Sequence, residues 1–353
     1  MKIGELITAN YGKSLVETER KKGPVPVYSS SGLTGWHNSA INKSEAIIIG
    51  RKGNVGAVYY TPGPFFCIDT AYYVLPNDKV NFRYLYYNLV YQKLGNMNDG
   101  SPVPGLKREL LYDRNIYLPD EAVQQCIASI LTSYDELIEN NHKQIKLLEE
   151  AAMRLYKEWF INLRFPGHET ANIIDGVPEG WTLSKTKGFM KFKYGKALKA
   201  EDRKLGEYPV YGSSGVVGYH NDYLVDGPVI IVGRKGNVGT VYLSHANAYP
   251  IDTVYYIESD ISILYAYFSL RTRAFNNNDS AVPGLNRDYA ESMDMMCPNK
   301  DLLNKFDGKA SILLELQNKL LNQIDLLKQA RDALLPKLMR GEIEINPTRG
   351  ESI

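Results

Sequence analysis

The sequence predicts an α+β protein in which two β-rich domains stand in tandem, separated by two long antiparallel coiled-coil helices. Three observations lead to this prediction. The chain repeats itself at an offset of 183 residues, each repeat opens with short β-forming runs, and each closes with a long stretch of helical periodicity. Because two copies of one unit can be related by a pseudo-twofold axis, we expect that symmetry here.

Composition excludes several classes of protein. The 353 residues are 44% hydrophobic and 23% charged, which is ordinary globular composition and favours two domains. No apolar run reaches the roughly 18 residues of a membrane helix, and the start lacks the layout of a signal peptide. We therefore expect a cytoplasmic protein without a membrane partner. A disulfide framework is not expected, because the cysteines lie far apart: Cys67, Cys126 and Cys297.

The repeat is clearest in three blocks, in which 23 of 32 aligned positions are identical. The period is too long for a solenoid, whose repeats run about 20–50 residues. Tandem copies of one domain are the better interpretation. The paired blocks are 28–38 with 211–221, 47–60 with 230–243, and 68–74 with 251–257. Two shorter blocks also recur, Tyr11-Gly-Lys13 as Tyr194-Gly-Lys196 and Val103-Pro-Gly-Leu106 as Val282-Pro-Gly-Leu285.

These patterns divide the chain into five segments. They are a β-rich domain at 1–120, a helix at 121–165, a second β-rich domain at 166–300, a second helix at 301–345 and a tail at 346–353. Inside the repeat, Ser39–Ala46 shares nothing with Asp222–Val229. Two interpretations stay open, that the two domains recognise different things or that a loop has drifted neutrally.

A glycine-rich turn lies between two β-forming runs in each domain. Ala46–Ile49 leads into Gly50-Arg-Lys-Gly53, and Val55–Tyr60 follows, which predicts a hairpin or a bulged strand pair. A phosphate-binding loop is not predicted, since a Walker loop needs Ser or Thr after Gly-Lys and then a helix. We expect the glycines to take positive φ in a tight turn.

The cations of this turn need a separate explanation. Arg51-Lys52 and Arg234-Lys235 lie at the turn tips, where they can contact phosphates or a guanine edge. Further basic residues cluster at Arg20–Lys22 and between Lys185 and Lys204, although the formal net charge is only +1. Such local stripes are typical of DNA backbone contacts, and a solvated charged face is the alternative.

The helical segments carry a coiled-coil stripe, with apolar residues at alternating spacings of four and three. Uninterrupted by Gly or Pro, Ala122–Phe165 and Lys309–Leu335 would reach about 60 and 40 Å. Asn141 on this stripe either fixes the register or is a tolerated polar residue. Leu316 also falls on the stripe, and the predicted seam residues are Leu131, Tyr134, Ile138, Ile145, Leu148, Leu313, Leu320, Ile324, Leu327 and Leu334.

No catalytic or metal-binding constellation is predicted. The histidines lack metal-ligand spacing, and no nucleophile elbow occurs. His37 and His220 recur, each before an Asn, as a polar contact or, as we favour, a structural pair. Asp69 and Asp252 could act as a base, but a carboxylate that accepts from turn amides is the favoured interpretation.

Over residues 10–345 the sequence resembles the specificity subunit of a type I restriction–modification system. Arg340, where a small residue is expected, is a departure at the exit of the last helix. In the β-rich domains the resemblance rests on Tyr11-Gly-Lys, on Tyr28–Asn38, on Gly50-Arg-Lys-Gly-Asn-Val-Gly56 and on Ile68-Asp-Thr. In the helices it rests on Gln144–Leu148, Leu155–Gly167, Gln323–Leu327 and Leu334–Ile343.

The resemblance implies two target recognition domains, at 1–120 and 166–300, that each read one half of a bipartite double-stranded DNA sequence. The helices would set the unread gap and dock two modification subunits. Those methyltransferase subunits would bind S-adenosylmethionine and methylate adenine. A restriction subunit would hydrolyse ATP with magnesium, translocate DNA and cleave it. This chain would be non-catalytic and hold no cofactor.

Resemblance and charge together assign the DNA contacts. The predicted cationic contacts are Lys13, Arg51, Lys52, Lys196, Arg234 and Lys235. The hydroxyls that either serve phosphates or satisfy turns belong to Ser30, Ser31, Ser213 and Ser214. A two-headed scaffold for non-DNA partners is the alternative function, and an inactive, exchangeable specificity subunit is a variant within the family.

Overall fold

The computed structural model describes residues 1–96, 105–275 and 284–345. The predicted tail at 346–353 and the first two residues of each Val-Pro-Gly-Leu block lie outside these ranges. The chain forms two compact units. Unit 1 comprises Met1–His142 and Asn322–Ile353, and unit 2 comprises Lys143–Leu321. Two long helices contribute to both units, and each unit is described by itself.

Unit 1 opens with seven short strands. In chain order they are β1 Asn10–Tyr11, β2 Val25–Ser29, β3 Gly32–His37, β4 Ala46–Gly50, β5 Val58–Thr61, β6 Phe66–Cys67 and β7 Ala71–Val74. Two short helices follow, α1 Phe82–Tyr91 and α2 Arg108–Tyr112, and then the long helix α3 Glu121–Tyr156. The side chain of Asn81 caps the start of α1 by accepting from the amide of Tyr84 at 2.9 Å.

The strands of unit 1 form two sheets. One has the order β1-β7-β4-β5 and is antiparallel throughout. The other has the order β3-β2-β6, in which β2 pairs antiparallel with β3 and parallel with β6. Strand β4 is buried along its whole length. Ile47 and Ile49 enter the core beneath α1, and Ala46 and Ile48 enter a smaller core on the opposite face.

Unit 2 repeats this arrangement. Its elements are β8 Ile173–Ile174, β9 Val177–Pro178, β10 Thr182–Lys185, β11 Met190–Tyr194, β12 Tyr208–Gly212, β13 Gly215–His220, β14 Val229–Gly233, β15 Val241–Ser244, β16 Tyr249–Pro250, β17 Val254–Ser259, α4 Ile263–Arg271, α5 Arg287–Ser292, β18 Asp294–Cys297 and α6 Lys300–Met339.

The sheets of unit 2 match those of unit 1. The order β11-β17-β14-β15 corresponds to the four-stranded sheet, and β13-β12-β16 corresponds to the three-stranded one. Two further pairs, β8-β9 and β10-β18, belong to unit 2. Strand β14 is again buried on both faces, with Ile230 and Val232 in the large core and Val229 and Ile231 in the small one.

The hairpin predicted around the glycine-rich turn is confirmed, with one shift. Strands β4 and β5 pair antiparallel from Ala46 opposite Thr61 to Ile49 opposite Val58. The second strand begins at Val58 and not at Val55. The preceding residues close a turn instead, in which the amide of Gly56 donates to the carbonyl of Gly50 at 2.8 Å.

Positive φ is confirmed for Gly53 and Gly56, at 78° and 73°. Gly50 differs, because its φ is not positive and close contact is what requires glycine there. A Cβ on Gly50 would lie 2.1 Å from the backbone oxygen of Asn54. The same contact at Gly233, 2.1 Å from the oxygen of Asn237, repeats the constraint in unit 2.

The helix boundaries differ from those expected from Gly and Pro alone. Helix α3 gives way to a single π-helical segment at Lys157–Ile161 and does not reach Phe165. Helix α6 begins nine residues before Lys309 and includes both Gly308 and Pro336. The buried side chains of Phe306 and Ala310 flank Gly308, so packing stabilises the helix through a residue of weak helix propensity.

All ten predicted seam residues are buried or half-buried in their own unit. Leu316 is an exception to the wider stripe, since it is 44% exposed while Leu314 is 8% exposed. In unit 1, Asp135 of α3 pairs with Arg331 of α6 at 2.6 Å, and Asn141 donates to Gln323 at 3.4 Å. These partners run in opposite chain directions. No helix of the described residues is long and apolar enough to cross a membrane.

Candidate nucleic-acid interface

The Arg51-Lys52 turn is fixed by backbone hydrogen bonds on both sides. The amides of Arg51 and Lys52 donate to the carbonyl of Thr70 at 2.9 and 3.1 Å. The carbonyl of Arg51 accepts from the amide of Leu106 at 2.9 Å. The turn therefore joins three chain segments that are distant in sequence, and its side chains project from a rigid base.

The guanidinium of Arg51 is held on one edge. Its Nε and Nη2 donate to the carbonyl oxygen of Asp69 at 3.1 and 2.7 Å. Its Cζ lies 5.3 Å from the ring centroid of Tyr11 and 5.9 Å from that of Tyr72. This combination of a bidentate bond and cation–π contacts orients the charge.

The same geometry occurs in unit 2. Arg234 donates from Nε and Nη2 to the carbonyl of Asp252 at 3.1 and 2.6 Å. Its Cζ lies 5.2 Å from the ring centroid of Tyr194 and 5.9 Å from that of Tyr255. The structure thus builds one arginine turn twice.

The other predicted cations are accessible. Lys52 and Lys235 are exposed at the turn tips, and Lys13 and Lys196 are exposed just after strands β1 and β11. The amide of Lys13 donates to the carbonyl of Cys67 at 2.9 Å, which places this lysine beside the segment that precedes Asp69. The equivalent bond joins Lys196 to Pro250 at 3.1 Å.

The four predicted serines differ in accessibility. Ser31 and Ser214 are exposed at the tight turns of the β2–β3 and β12–β13 hairpins. Ser30 is only 6% exposed. Ser213 is half-buried, and its Oγ accepts from the amide of Asn237 at 3.4 Å. The hydroxyl of Ser30 is therefore the least available of the four to a ligand.

The role expected for the Asp69 carboxylate is wrong. In the described part of the chain, this carboxylate accepts no hydrogen bond from a turn amide, and neither does that of Asp252. The turn amides already donate to the carbonyl of the following threonine, Thr70 or Thr253. The backbone carbonyl of each aspartate instead accepts two hydrogen bonds from the neighbouring arginine.

The structural interpretation of the two histidines is confirmed. His37 is buried, and its Nδ1 accepts from the amide of Lys21 at 3.0 Å. His220 is likewise buried and accepts from the amide of Lys204 at 3.0 Å. Each imidazole anchors the loop that crosses beneath its hairpin.

Part of the basic stretch in unit 2 is neutralised within the protein. Lys185 pairs with Asp294 at 2.7 Å, Lys193 with Glu258 at 3.3 Å, and Lys199 with Glu201 at 3.7 Å. These ion pairs support the solvated-face interpretation for those three lysines. Lys196 takes part in no ion pair among the described residues.

Sequence reasoning missed a second arginine at each tyrosine. The Cζ of Arg108 lies 4.6 Å from the ring centroid of Tyr11, and that of Arg287 lies 5.6 Å from the ring centroid of Tyr194. Both follow a Gly-Leu-x-Arg pattern, which recurs at the offset of 179 residues. Extending the comparison of the repeats by two residues would have found them.

Sequence reasoning also misjudged Arg20, which it grouped with the exposed basic loop. The Nη1 of Arg20 donates to the carbonyl of Thr34 at 2.7 Å, and Arg203 makes the same bond to Val217 at 2.7 Å. Both Nε atoms are buried without a hydrogen-bond partner. A Cβ on Gly35 would lie 2.7 Å from Nη1 of Arg20, so this glycine makes room for the guanidinium.

The described residues contain no group of three or more His, Cys, Asp or Glu side chains that could hold a metal ion. The site chemistry is instead that of oriented cations, aromatic rings and turn hydroxyls, duplicated in the two units. Such a set binds anions and stacks on planar groups.

Comparison with known proteins decides the family. The family described as the type I restriction modification DNA specificity domain matches residues 1–150 and 178–326 of this chain. The chain belongs to this family. The two matched segments cover most of both repeats, so each repeat is one specificity domain, and the chain is a specificity subunit of a type I restriction–modification system.

Similar specificity subunits occur in distant organisms. The chain is 26% identical to the type I restriction enzyme MjaIX specificity subunit of Methanocaldococcus jannaschii, over 85% of this chain and 78% of that one. It is 20% identical to the putative type I specificity subunit S.MpnORF507P of Mycoplasma pneumoniae, over 80% and 79% of the two chains.

The fold also matches a solved specificity subunit. The crystal structure of the type I restriction–modification S subunit from M. genitalium covers 98% of this chain and 96% of its own, with a TM-score of 0.62 and 18% identity. This likeness concerns the fold, in which helices and sheets are mixed and two similar domains stand in tandem.

Proposed function

We propose that each specificity domain reads one half of a bipartite double-stranded DNA target. The observation that supports this proposal is the duplicated arginine turn. Arg51 in unit 1 and Arg234 in unit 2 each donate two hydrogen bonds to an aspartate carbonyl, and each contacts two tyrosine rings. A single scaffold used twice suits a protein that meets two chemically similar surfaces, and the DNA backbone offers the same phosphates at every site.

The residues proposed to contact DNA differ in the group of the DNA that each would bind. The exposed lysines Lys13, Lys52, Lys196 and Lys235 suit phosphates, because an ammonium is a mobile point charge. Within the described residues, the Nη1 groups of Arg51 and Arg234 make no hydrogen bond, and this donor suits a phosphate or a guanine edge. The hydroxyls of Ser31 and Ser214 lie at the neighbouring hairpin turns and supply further hydrogen bonds.

The two domains would read different half-sites. Ser39–Ala46 and Asp222–Val229 share no residue, although the strands that follow them have the same register and the same burial pattern. The hairpins also differ in their exposed side chains, with Leu33 and Trp36 in unit 1 replaced by Val216 and Tyr219 in unit 2. Different side chains on one scaffold support different base choices.

The helices α3 and α6 would form an antiparallel coiled-coil spacer with pseudo-twofold symmetry between the target recognition domains at 1–120 and 166–300. The opposed pairs Asp135–Arg331 and Asn141–Gln323 within unit 1 support this arrangement. The spacer would set the unread gap and dock two modification subunits. Leu147 and Leu326 are more than 60% exposed, and such apolar side chains suit a partner surface.

The chemistry would reside in the partners. Modification subunits would bind S-adenosylmethionine and methylate adenine, and a restriction subunit would use ATP and magnesium to translocate and cleave DNA. This chain would direct those activities and act as a non-catalytic reader.

Co-expression with the modification subunit of the same system, followed by sequencing of methylated adenines, tests the proposal. We expect a motif of two short half-sites around a fixed gap. A stable complex that yields no motif would identify an inactive, exchangeable specificity subunit. Failure to form any complex would favour the alternative, a two-headed scaffold for other partners.

Salt distinguishes DNA reading from the scaffold alternative. Binding to a duplex should weaken steeply as ionic strength rises, because each phosphate contact releases counterions. Binding through the exposed leucines of α3 and α6 should depend little on salt. A titration of the full chain against duplex DNA at several salt concentrations separates the two.

A further inference from the structure

In each unit, two arginines lie close to the ring of one exposed tyrosine. Tyr11 is 48% exposed, and the guanidinium carbons of Arg51 and Arg108 lie 5.3 and 4.6 Å from its ring centroid. In unit 2, Tyr194 is 50% exposed, and Arg234 and Arg287 lie 5.2 and 5.6 Å from its centroid. Two like charges at one ring repel each other, so an anion that contacts both guanidinium groups would stabilise the arrangement.

The backbone fixes the second arginine relative to the first. The amide of Leu106 donates to the carbonyl of Arg51 at 2.9 Å, and Arg108 follows two residues later at the start of α2. In unit 2 the amide of Leu285 donates to the carbonyl of Arg234 at 2.8 Å, and Arg287 starts α5. The two cations are therefore positioned together before any ligand arrives.

Tyr72, the second aromatic ring beside Arg51, adds no negative charge to the cluster in unit 1. The rings of Tyr11 and Tyr72 lie 5.1 Å apart, and the hydroxyl of Tyr72 donates to the carbonyl of Leu106 at 3.0 Å. Burial raises the pKa of Tyr72 to about 12, with a further contribution from the hydrogen bond to Tyr11. The hydroxyl of Tyr72 stays protonated near neutral pH, so it leaves the positive charge of the cluster in unit 1 unchanged.

Protein carboxylates only partly neutralise these arginines. Many other arginines of the chain have a carboxylate partner, such as Arg331 with Asp135 and Arg340 with Glu342, both at 2.6 Å. Arg51 and Arg108 form no ion pair among the described residues. In unit 2, Asp288 lies 3.4 Å from the Nε of Arg287.

We propose that each cluster, Tyr11–Arg51–Arg108 and Tyr194–Arg234–Arg287, is a clamp that binds one backbone phosphate of duplex DNA. This inference rests on the proposed function, and it adds Arg108 and Arg287 as DNA-contacting residues. The tyrosine holds the two guanidinium planes by cation–π contact, and the paired arginines supply hydrogen-bond donors to the phosphate oxygens. Asp288 competes with the phosphate in the second clamp.

The test measures binding of the full chain to a mixed-sequence duplex by fluorescence anisotropy over a range of NaCl concentrations. A phosphate contact is independent of sequence, so the specific target is not needed. The slope of log K against log salt is negative, and each phosphate that is no longer neutralised reduces its magnitude by about 0.9. The double variant Arg108→Gln/Arg287→Gln leaves one arginine at each of the two phosphates, so it should weaken binding and lower the magnitude of that slope by at most about two.

Arg83→Gln is the matched control. Arg83 lies 3.6 Å from the ring centroid of Tyr60 in unit 1, so its removal deletes one positive charge and the same kind of contact elsewhere, and it is matched to the single variant Arg108→Gln. Its slope should stay at the wild-type value. An equal fall in Arg83→Gln would mean that total charge, and not the clamp, governs binding, and the proposal would be overturned.

The variant Asp288→Asn tests the clamp through an expected gain in DNA affinity. Removing this competing carboxylate should tighten duplex binding severalfold at low salt. Asp175→Asn removes an equal charge from an exposed turn of unit 2, at a φ of 50° that asparagine tolerates, and should leave affinity unchanged. Equal affinities for wild type and Asp288→Asn would count against the clamp, even if the double variant folded poorly.

The outcomes separate the clamp from the proposed function. A wild-type chain that binds no duplex at any salt concentration overturns both. A wild type that binds, with an unchanged slope for Arg108→Gln/Arg287→Gln, overturns the clamp alone. If inorganic phosphate at matched ionic strength stabilised the wild type and not the double variant while the DNA slopes stayed equal, the clusters would bind free phosphate only, against the proposal.

Discussion

At the scale of single residues, one side chain can stabilise a whole hairpin. Arg20 lies beneath the β2–β3 hairpin, and its guanidinium ties the preceding loop to the carbonyl of Thr34. Arg203 does the same beneath β12–β13. The exposed side chains of Trp36 and Tyr219 stand on these hairpins. Their orientation therefore depends on the hydrogen bonds that Arg20 and Arg203 donate to these hairpins.

Arg20→Ala should destabilise the full chain by about 1–2 kcal/mol, since a charge-assisted hydrogen bond is lost and the Thr34 carbonyl loses its donor. Urea unfolding followed by circular dichroism measures this change. Lys22→Ala is the control, because Lys22 is exposed in the same loop and its loss should fall within about 0.5 kcal/mol of wild type. Equal stability of Arg20→Ala and wild type would show that the buried Nε cancels the bond.

At the scale of elements, helix α4 is joined to α6 through a half-buried carboxyl group. The hydroxyl of Ser262 caps α4 by accepting from the amide of Tyr265 at 3.0 Å, and it donates to Asp307 of α6 at 2.5 Å. Burial raises the pKa of Asp307 above its ordinary value, and the bond from Ser262 opposes that rise. Ionisation of Asp307 therefore lowers the free energy of unfolding.

The sign of this cost predicts a pH effect. A carboxyl whose pKa is raised by folding favours the folded state while it is protonated, and this contribution is lost as pH rises through the unfolded and then the folded pKa. Asp307→Asn keeps an acceptor for Ser262 without the charge. It should raise the thermal unfolding temperature at pH 7 and flatten its fall between about pH 4 and 7.

Asp301→Asn provides the comparison for this pH effect, because Asp301 is exposed in the first turn of the same helix. A carboxylate there interacts favourably with the helix dipole, so its removal should lower stability slightly at pH 7. Differential scanning calorimetry across this pH range distinguishes the two variants. Matching pH profiles for them would refute the role given to burial.

At the scale of the whole molecule, the chain contains two units with separate cores. Ile48 lies in the small core of unit 1, and Ile231 lies at the equivalent position in unit 2. Both are fully buried on the central strand of a four-stranded sheet. Each core therefore stabilises its own unit.

Replacing either isoleucine by alanine should loosen one unit only. The loss in each case is about 2–5 kcal/mol, because buried methylenes are removed and a cavity remains. Hydrogen exchange with mass spectrometry should show faster exchange within Met1–His142 for Ile48→Ala and within Lys143–Leu321 for Ile231→Ala. If either substitution accelerated exchange equally in both ranges, the cores would not be independent.

The sequence by itself determined the duplication, the short strands, the glycine turn and the apolar stripe of the helices. These features depend on local preferences, namely backbone φ at Gly53 and Gly56 and the spacing of residues such as Leu131 and Ile138. Local preference could not place the helix ends, because tertiary packing carries α6 through Gly308 and Pro336.

Only the tertiary structure decided which side chains meet. Arg108 reaches Tyr11 across 97 positions of sequence, and Arg51 finds the carbonyl of Asp69 and not its carboxylate. Such contacts form when sheet pairing closes long loops, and no periodicity within one segment encodes them. The sequence therefore predicts which cations are available, whereas the fold decides that Arg20 supports a hairpin and that Arg108 joins the surface proposed to bind DNA.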